Sequence, residues 1–194
     1  MKKIGITGNM GSGKTTVAKI FEQLGVSVYS SDERAKQLMV ENTTISNGLT
    51  KLLGDEAYTP DGKLNRSFIS SKIFNNKELL NGVNAIVHPV VFADFDTWLE
   101  SHKSESYILK EAAILFESDS YKKVDKIIVV TAPDAIRIER SMKRDDASFE
   151  EVSSRISKQM PQSEKEKLAD YIINNDGNEL LIPQVLKLDA LFRA

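Results

Sequence analysis

The sequence predicts an α/β fold, a five-stranded parallel sheet with helices on both faces. Three observations carry this. Short apolar runs recur along the chain, "KKIGITG", "VSVYS", "SYILKEAAIL", "DKIIVVTA" and "DYIINND", and helical patterns separate them. Strands joined through helices make parallel crossovers. The runs are apolar throughout rather than alternating, as in strands covered on both sides. Finally, a glycine-rich stretch, "GNMGSGKTT", lies between the first run and the first helical pattern.

The elements follow in order. The first run is a strand, and "KTTVAKIFEQLG" is the helix after it. Val17, Ile20, Phe21 and Leu24 share one face of that helix, and Gly25 ends it. "VSVYS" is the second strand. "SDERAKQLM" begins the next helix, with Ser30 and Glu33 at capping-box spacing. From about Asn42 to His102 there is no strong strand. That stretch reads as mostly helical, broken at "GDEAYTPDGKL" and at Asn75 and Asn76. The third strand is expected over "SYILKEAAIL", then the fourth and fifth. Helices are expected at about Pro133 to Arg144, Phe149 to Gln159, Ser163 to Ala169 and Glu179 to Phe192. Pro183 blurs the start of the last one.

The glycine-rich stretch fits G-x-x-x-x-G-K-[ST]: Gly8, four residues, Gly13, Lys14, Thr15. It stands after a strand and before a helix, where such a loop turns successive N–H groups toward phosphate oxygens. The helix start adds its positive end. Gly8, Asn9, Met10, Gly11, Ser12, Gly13, Lys14, Thr15 and Thr16 are therefore expected to cradle ATP. Lys14 would reach the β- and γ-phosphates, and the Thr15 hydroxyl would bind Mg²⁺. A dinucleotide turn needs G-x-G-x-x-G, and Lys14, Thr15 and Thr16 follow Gly13 instead. The guanine signature N-K-x-D is missing too: "NKEL" at Asn76 ends wrongly. The chain is short for a motor, so a small nucleotide-dependent kinase is the natural class.

Composition agrees. The 194 residues, 41% of them hydrophobic, suffice for one domain with its own core. With no cysteine there is no disulfide framework and no thiolate metal site. "MKKIGITG" is not a signal peptide, and no run approaches membrane-spanning length. A cytoplasmic protein without a membrane partner is expected. The net charge of -2 argues against a nucleic-acid surface.

Beside the loop, the chain carries "SSDERAKQL", "VHPVV", "ILFE", "RSMKRDD" and "ADYIINNDG" in that order. With these motifs it resembles the dephospho-coenzyme A kinases over nearly its whole length. The resemblance implies transfer of the γ-phosphoryl of ATP to the ribose 3′-hydroxyl of dephospho-coenzyme A. It also implies a P-loop kinase core (about 1–31, 104–133 and 168–194), a helical substrate-binding insert (about 32–103) and a lid (about 134–167). Two positions depart from the family's pattern: Ser30 stands where a second acid is frequent, and Ala113 where proline is usual. Two alternatives stay open, another small-molecule kinase of the nucleoside monophosphate type and a nucleotide-binding regulator without turnover.

Asp32 matches the family's presumed base, and it also suits a helix start. Arg140 and Arg144 are four apart and share a helix face. There they would clamp the charge of a phosphoryl transition state, or form a solvated patch with Asp145 and Asp146. Arg137 and Arg155 are weaker candidates of the same kind. His88 and Glu117 match family positions expected near substrate. Glu111 or Glu117 is a candidate for the missing Walker B carboxylate. Asn174, Asn175 and Gly177 follow the fifth strand, where small kinases hold adenine. Phe68, Phe74 and Trp98 would line a pantetheine groove or simply pack.

Overall fold

The computed structural model describes residues 1–74 and 76–194; Asn75 lies outside the described residues. The chain forms two compact units, Met1–Ser30 with His102–Ala194, and Ser31–Ser101.

The first unit is built on strands β1 (Lys2–Thr7), β2 (Val28–Ser30), β3 (Tyr107–Glu111), β4 (Lys126–Thr131) and β5 (Tyr171–Asn174). All pair in parallel, in the order β2-β3-β1-β4-β5. Register places Ile6 beside Glu111 and Ile128. Side chains alternate across the sheet. Ile4, Ile6, Leu109, Ile128, Val130 and Ile173 share a core with Val17 and Phe21 of α1 (Lys14–Gln23) and with Val185, Leu188 and Phe192 of the C-terminal helix (Leu181–Arg193). Ile127 and Val129 point the other way, toward Leu115 and Phe116. Each such fully buried side chain contributes roughly 1.5–3 kcal/mol. Pro183 sits in the first turn of the C-terminal helix, where no intrahelical N–H is lost.

The third strand is shorter than expected. It stops at Glu111, and "AAILF" leaves the sheet as a turn that feeds Leu115 and Phe116 into the second core. Ser30 is not the cap of the next helix: its hydroxyl donates to Glu111 Oε2 instead, at 2.7 Å.

The second unit is helical: α2 (Ser31–Glu41), α3 (Thr43–Leu53), α4 (Arg66–Ile73) and α5 (Lys77–Glu100). Asn42, Asn65 and Asn76 each cap a helix by accepting from the N–H three residues on. Val83, Val87, Val91 and Phe95 form a buried stripe at four-residue spacing along α5. It runs straight past Pro89, which sits within that helix. Arg34 forks onto both oxygens of Asp94, at 2.9 and 2.8 Å, and ties α2 to α5. Among the described residues no helix is long and apolar enough to cross a membrane.

His88 lies half-buried on α5, its ring 6.1 Å from that of Phe92. Burial lowers its pKa. The folded chain therefore binds fewer protons here than the unfolded chain, whose histidine titrates near about 6.5. The sign follows: stability is fully present above that pH and is lost as pH falls below it. We expect His88→Gln to shrink the fall in melting temperature between pH 7 and pH 5. An unchanged fall in the variant would place the titrating group elsewhere.

Candidate active site

The remaining helices of the sheet unit are α6 (Asp134–Asp145), α7 (Phe149–Ile156), α8 (Gln162–Lys167) and α9 (Leu181–Arg193). The loop of residues 8–16 sits among them at the carboxyl ends of the strands, where open α/β sheets bind ligands. Gly11 and Gly13 adopt φ of 79° and 90°, in the left-handed region. Close approach demands glycine as well. A Cβ on Gly11 would overlap the carbonyl oxygen of Arg137 and lie 2.7 Å from Ser141 Oγ, both on α6. A Cβ on Gly13 would overlap Asn175 Nδ2, just beyond β5. Gly8 lies equally tight against the carbonyl oxygen of Val130 on β4. Gly13 is also the N-cap of α1, with no side-chain cap, so the first N–H groups of the helix face outward for an anion.

Lys14 and Thr15 open α1. The Thr15 hydroxyl donates to Glu111 Oε1 at 2.7 Å, and Lys14 Nζ stands 4.0 Å from the same oxygen. Glu111 is only 4% exposed, yet it closes β3 with three partners, Ser30 being the third. Of the two acids weighed for the Walker B position, Glu111 is therefore the one at the phosphate loop.

Glu117, expected near substrate, has partners within the protein. Its Oε1 accepts from Lys165 Nζ and from the Met160 N–H, both at 2.9 Å. Lys165 is fully buried and also donates to the Ala113 carbonyl at 3.0 Å. Burial is the main force pulling its pKa down; Glu117 opposes that, while Lys14 and Arg137 add repulsion. The segment this pair anchors straps the loop. Asn9 Nδ2 donates to the Met160 carbonyl at 2.9 Å, and Gln159 Oε1 accepts from the Met10 N–H at 2.8 Å. Gln159, Met160 and Lys165 were not legible as site residues. Lys165 stands in "SEKEK", a run whose pattern signals only a solvated helix.

The arginines divide. Arg140 Nη1 donates to the Asn175 carbonyl at 3.0 Å, and Asn175 Nδ2 donates to the Ser12 carbonyl at 2.8 Å. Arg140, Asn175 and the loop are thus one assembly. Arg144 instead forks onto Asp145 at 2.7 and 2.9 Å, and Arg155 reaches the same carboxylate at 3.4 Å. Arg144 holds the Asp145 carboxyl below its usual range. Arg137, the weaker candidate, is 2% exposed and lies against the loop, donating to the Met10 carbonyl at 3.4 Å and to Asp134 at 2.6 Å. Asn174 is engaged by Gln184 of α9 through both its N–H and its carbonyl.

Asp32 and His88 belong to the helical unit. Asp32 is the second residue of α2, in an acidic first turn with Glu33. Phe68 lies under the Lys72 ammonium, 5.1 Å from its ring centre, and Trp98 stacks on Phe95 at 6.2 Å. Phe74 is half-exposed at the end of α4.

Gly11→Ala should destabilise the fold by at least about 1 kcal/mol, the cost of a left-handed non-glycine backbone. The overlap with α6 adds to this, and ATP affinity should drop with it. The measurements are a denaturant midpoint and an ATP titration. Unchanged values in both would mean that the loop does not rest on α6.

A family model described as dephospho-CoA kinase matches residues 2–180. A dephospho-CoA kinase of Bacteroides fragilis is 41% identical over 188 residues, 97% of this chain and 91% of that one. A solved structure from Thermus thermophilus is similar at 32% identity and TM-score 0.86, with 98% of this chain and 96% of that one covered. A dephospho-CoA kinase from Campylobacter jejuni aligns over the same shares at 27% identity, with TM-score 0.72. With its phosphate loop, the paired Glu111 and Thr15, and this likeness over nearly its whole length, the chain belongs to the dephospho-CoA kinase family.

Proposed function

We propose that the chain transfers the γ-phosphoryl of ATP to the ribose 3′-hydroxyl of dephospho-coenzyme A, with Asp32 as proton acceptor and Lys14, Arg140 and Arg144 as the charge clamp. The observation that carries this is the meeting of Lys14 and Thr15 at buried Glu111 in a chain of this family. The hydroxyl oxygen forms the new bond to phosphorus, the bond to the ADP oxygen breaks, and the hydroxyl proton goes to Asp32. The transition state is loose, so positioning and charge dominate over proton removal. Lys14 exchanges Glu111 for the phosphates, its ammonium being a flexible point charge. Arg140 is held beside the loop through Asn175, and Arg144 exchanges Asp145 for the transferring oxygens. Adenine rests on the backbone near Asn175.

The residues present fit Mg²⁺, a hard cation held by one or two carboxylates or hydroxyls together with phosphates. Thr15 and Glu111 would hold it. When bound, it neutralises charge between the β- and γ-phosphates. Residues 32–103 serve as the substrate-binding insert and 134–167 as a lid. The cytoplasm is the proposed location. Glu117 braces the loop through Lys165 and Met160 and stays a substrate-side candidate. His88, neutral at pH 7 by its lowered pKa, remains a substrate-side candidate.

Lys14→Ala should nearly abolish turnover in a folded protein, since one such contact in a water-poor site is worth about 3–4 kcal/mol of barrier. Asp32→Asn should keep ATP binding and lower single-turnover phosphorylation by roughly 10²–10⁴-fold. A rate within threefold of wild type would reduce Asp32 to a helix-start residue. ADP release with dephospho-coenzyme A beside AMP, CMP and adenosine tests the acceptor. Turnover on AMP or CMP alone would favour a nucleoside monophosphate kinase, and ATP binding without any turnover a regulator.

A further inference from the structure

The helical unit holds a pocket of about 210 Å³ lined by Lys36, Met39, Leu64, Arg66, Ile69 and Ser70. Met39, Leu64 and Ile69 make its lining mainly apolar, and Lys36 and Arg66 add two cations. The walls are pinned: the Tyr58 hydroxyl donates to the Met39 carbonyl at 2.6 Å, and Tyr58 pairs with Leu64 in an antiparallel bridge. Lys36 is bonded to Glu33 at 2.6 Å, an exposed pair of the kind that contributes little and exchanges readily. Arg66 adds its charge to the field of the same Glu33.

The order of residues along α2 is informative. Asp32, Lys36 and Met39 are spaced i, i+4, i+7 and run down one face of the helix. At the α-helical rise, Lys36 lies about 6 Å and Met39 about 10.5 Å along the axis from Asp32. The stripe thus reads carboxylate, cation, apolar pocket. Dephospho-coenzyme A reads in the same order from its reacting end: 3′-hydroxyl, 5′-pyrophosphate, then the pantetheine arm, which begins with a carbon bearing two methyl groups.

We propose that this pocket takes the dimethyl-bearing start of the pantetheine arm, with Lys36 and Arg66 holding the pyrophosphate at its rim. The proposal rests on the acceptor named above and assigns the residues that distinguish it from shorter nucleotides. Two cations beside an apolar lining fit this occupant, whereas AMP has nothing to fill the apolar part.

The test compares dephospho-coenzyme A with a truncated acceptor, the methyl ester of ADP, which keeps the 3′-hydroxyl and pyrophosphate but lacks the arm. Met39→Glu should raise KM for dephospho-coenzyme A about tenfold and leave KM for the methyl ester within twofold. Lys36→Ala should raise both. ATP affinity and melting temperature serve as controls, and Met39→Ser replaces Met39→Glu if the latter does not fold. Equal loss on both acceptors in the Met39 variant, or no change on dephospho-coenzyme A, overturns the proposal. So does equal kcat/KM of wild type on the two acceptors. If wild type does not use the methyl ester, the KM rise on dephospho-coenzyme A alone decides. Failure of wild type to phosphorylate dephospho-coenzyme A would instead defeat the acceptor assignment itself.

Discussion

Everything at the site depends on how closely the phosphate loop approaches its neighbours. At Gly8, Gly11 and Gly13 the loop backbone presses on β4, on α6 and on Asn175, with no room for a side chain. Side-chain hydrogen bonds alone would hold the loop farther off, since each adds the length of a side chain. Direct backbone contact sets α6 at one distance from the loop, and α6 carries Arg140 and Arg144. Ser141 on the same helix is small and fully buried, which lets the two surfaces meet. The arrangement is close-packed and resists small displacements. Chemistry that relies on positioned charge is sensitive to displacements of about an ångström.

The same closeness crowds positive charge. Lys14, Arg137 and Lys165 lie near enough for mutual repulsion to be felt at Lys165. A carboxylate stands beside each of these three cations and beside Arg144. Glu111 stands by Lys14, Asp134 by Arg137, Glu117 by Lys165 and Asp145 by Arg144. These pairs differ in kind. Lys165 has no exposed surface, so losing Glu117 would leave a buried charge without its counterion. Arg144 and Asp145 meet at the surface, where such a pair contributes little. The Lys165–Glu117 pair thus belongs to the buried frame, whereas the Arg144–Asp145 pair lies at its surface.

The legible parts of this molecule were those governed by local rules. The phosphate loop has a fixed spacing because its turn, its lysine and its helix start are consecutive in the chain. The strands were legible because burial on both faces makes them apolar throughout. The boundary of β3 was not, since "AAILF" is as apolar as the strand before it and its departure from the sheet is decided by a second core. Ser30 had the spacing of a cap, yet its hydroxyl found Glu111 across the sheet. Glu117 with Lys165, and Gln159 with Met10, pair residues far apart in sequence. No periodicity marks such partners, because only the folded topology brings them together.

Glu111 gives the last link between frame and chemistry. Its Oε1 holds Thr15 on the phosphate side, and its Oε2 holds Ser30, where β2 ends. Asp32 follows Ser30 by two residues, and the covalent chain allows at most about 7 Å between their Cα atoms. One buried carboxylate therefore anchors both the start of α1 and the end of β2, from which the chain leads to Asp32. Ser30 meets Glu111 with a hydroxyl. A second carboxylate there would face Glu111 and repel it, whereas a hydroxyl donates to it.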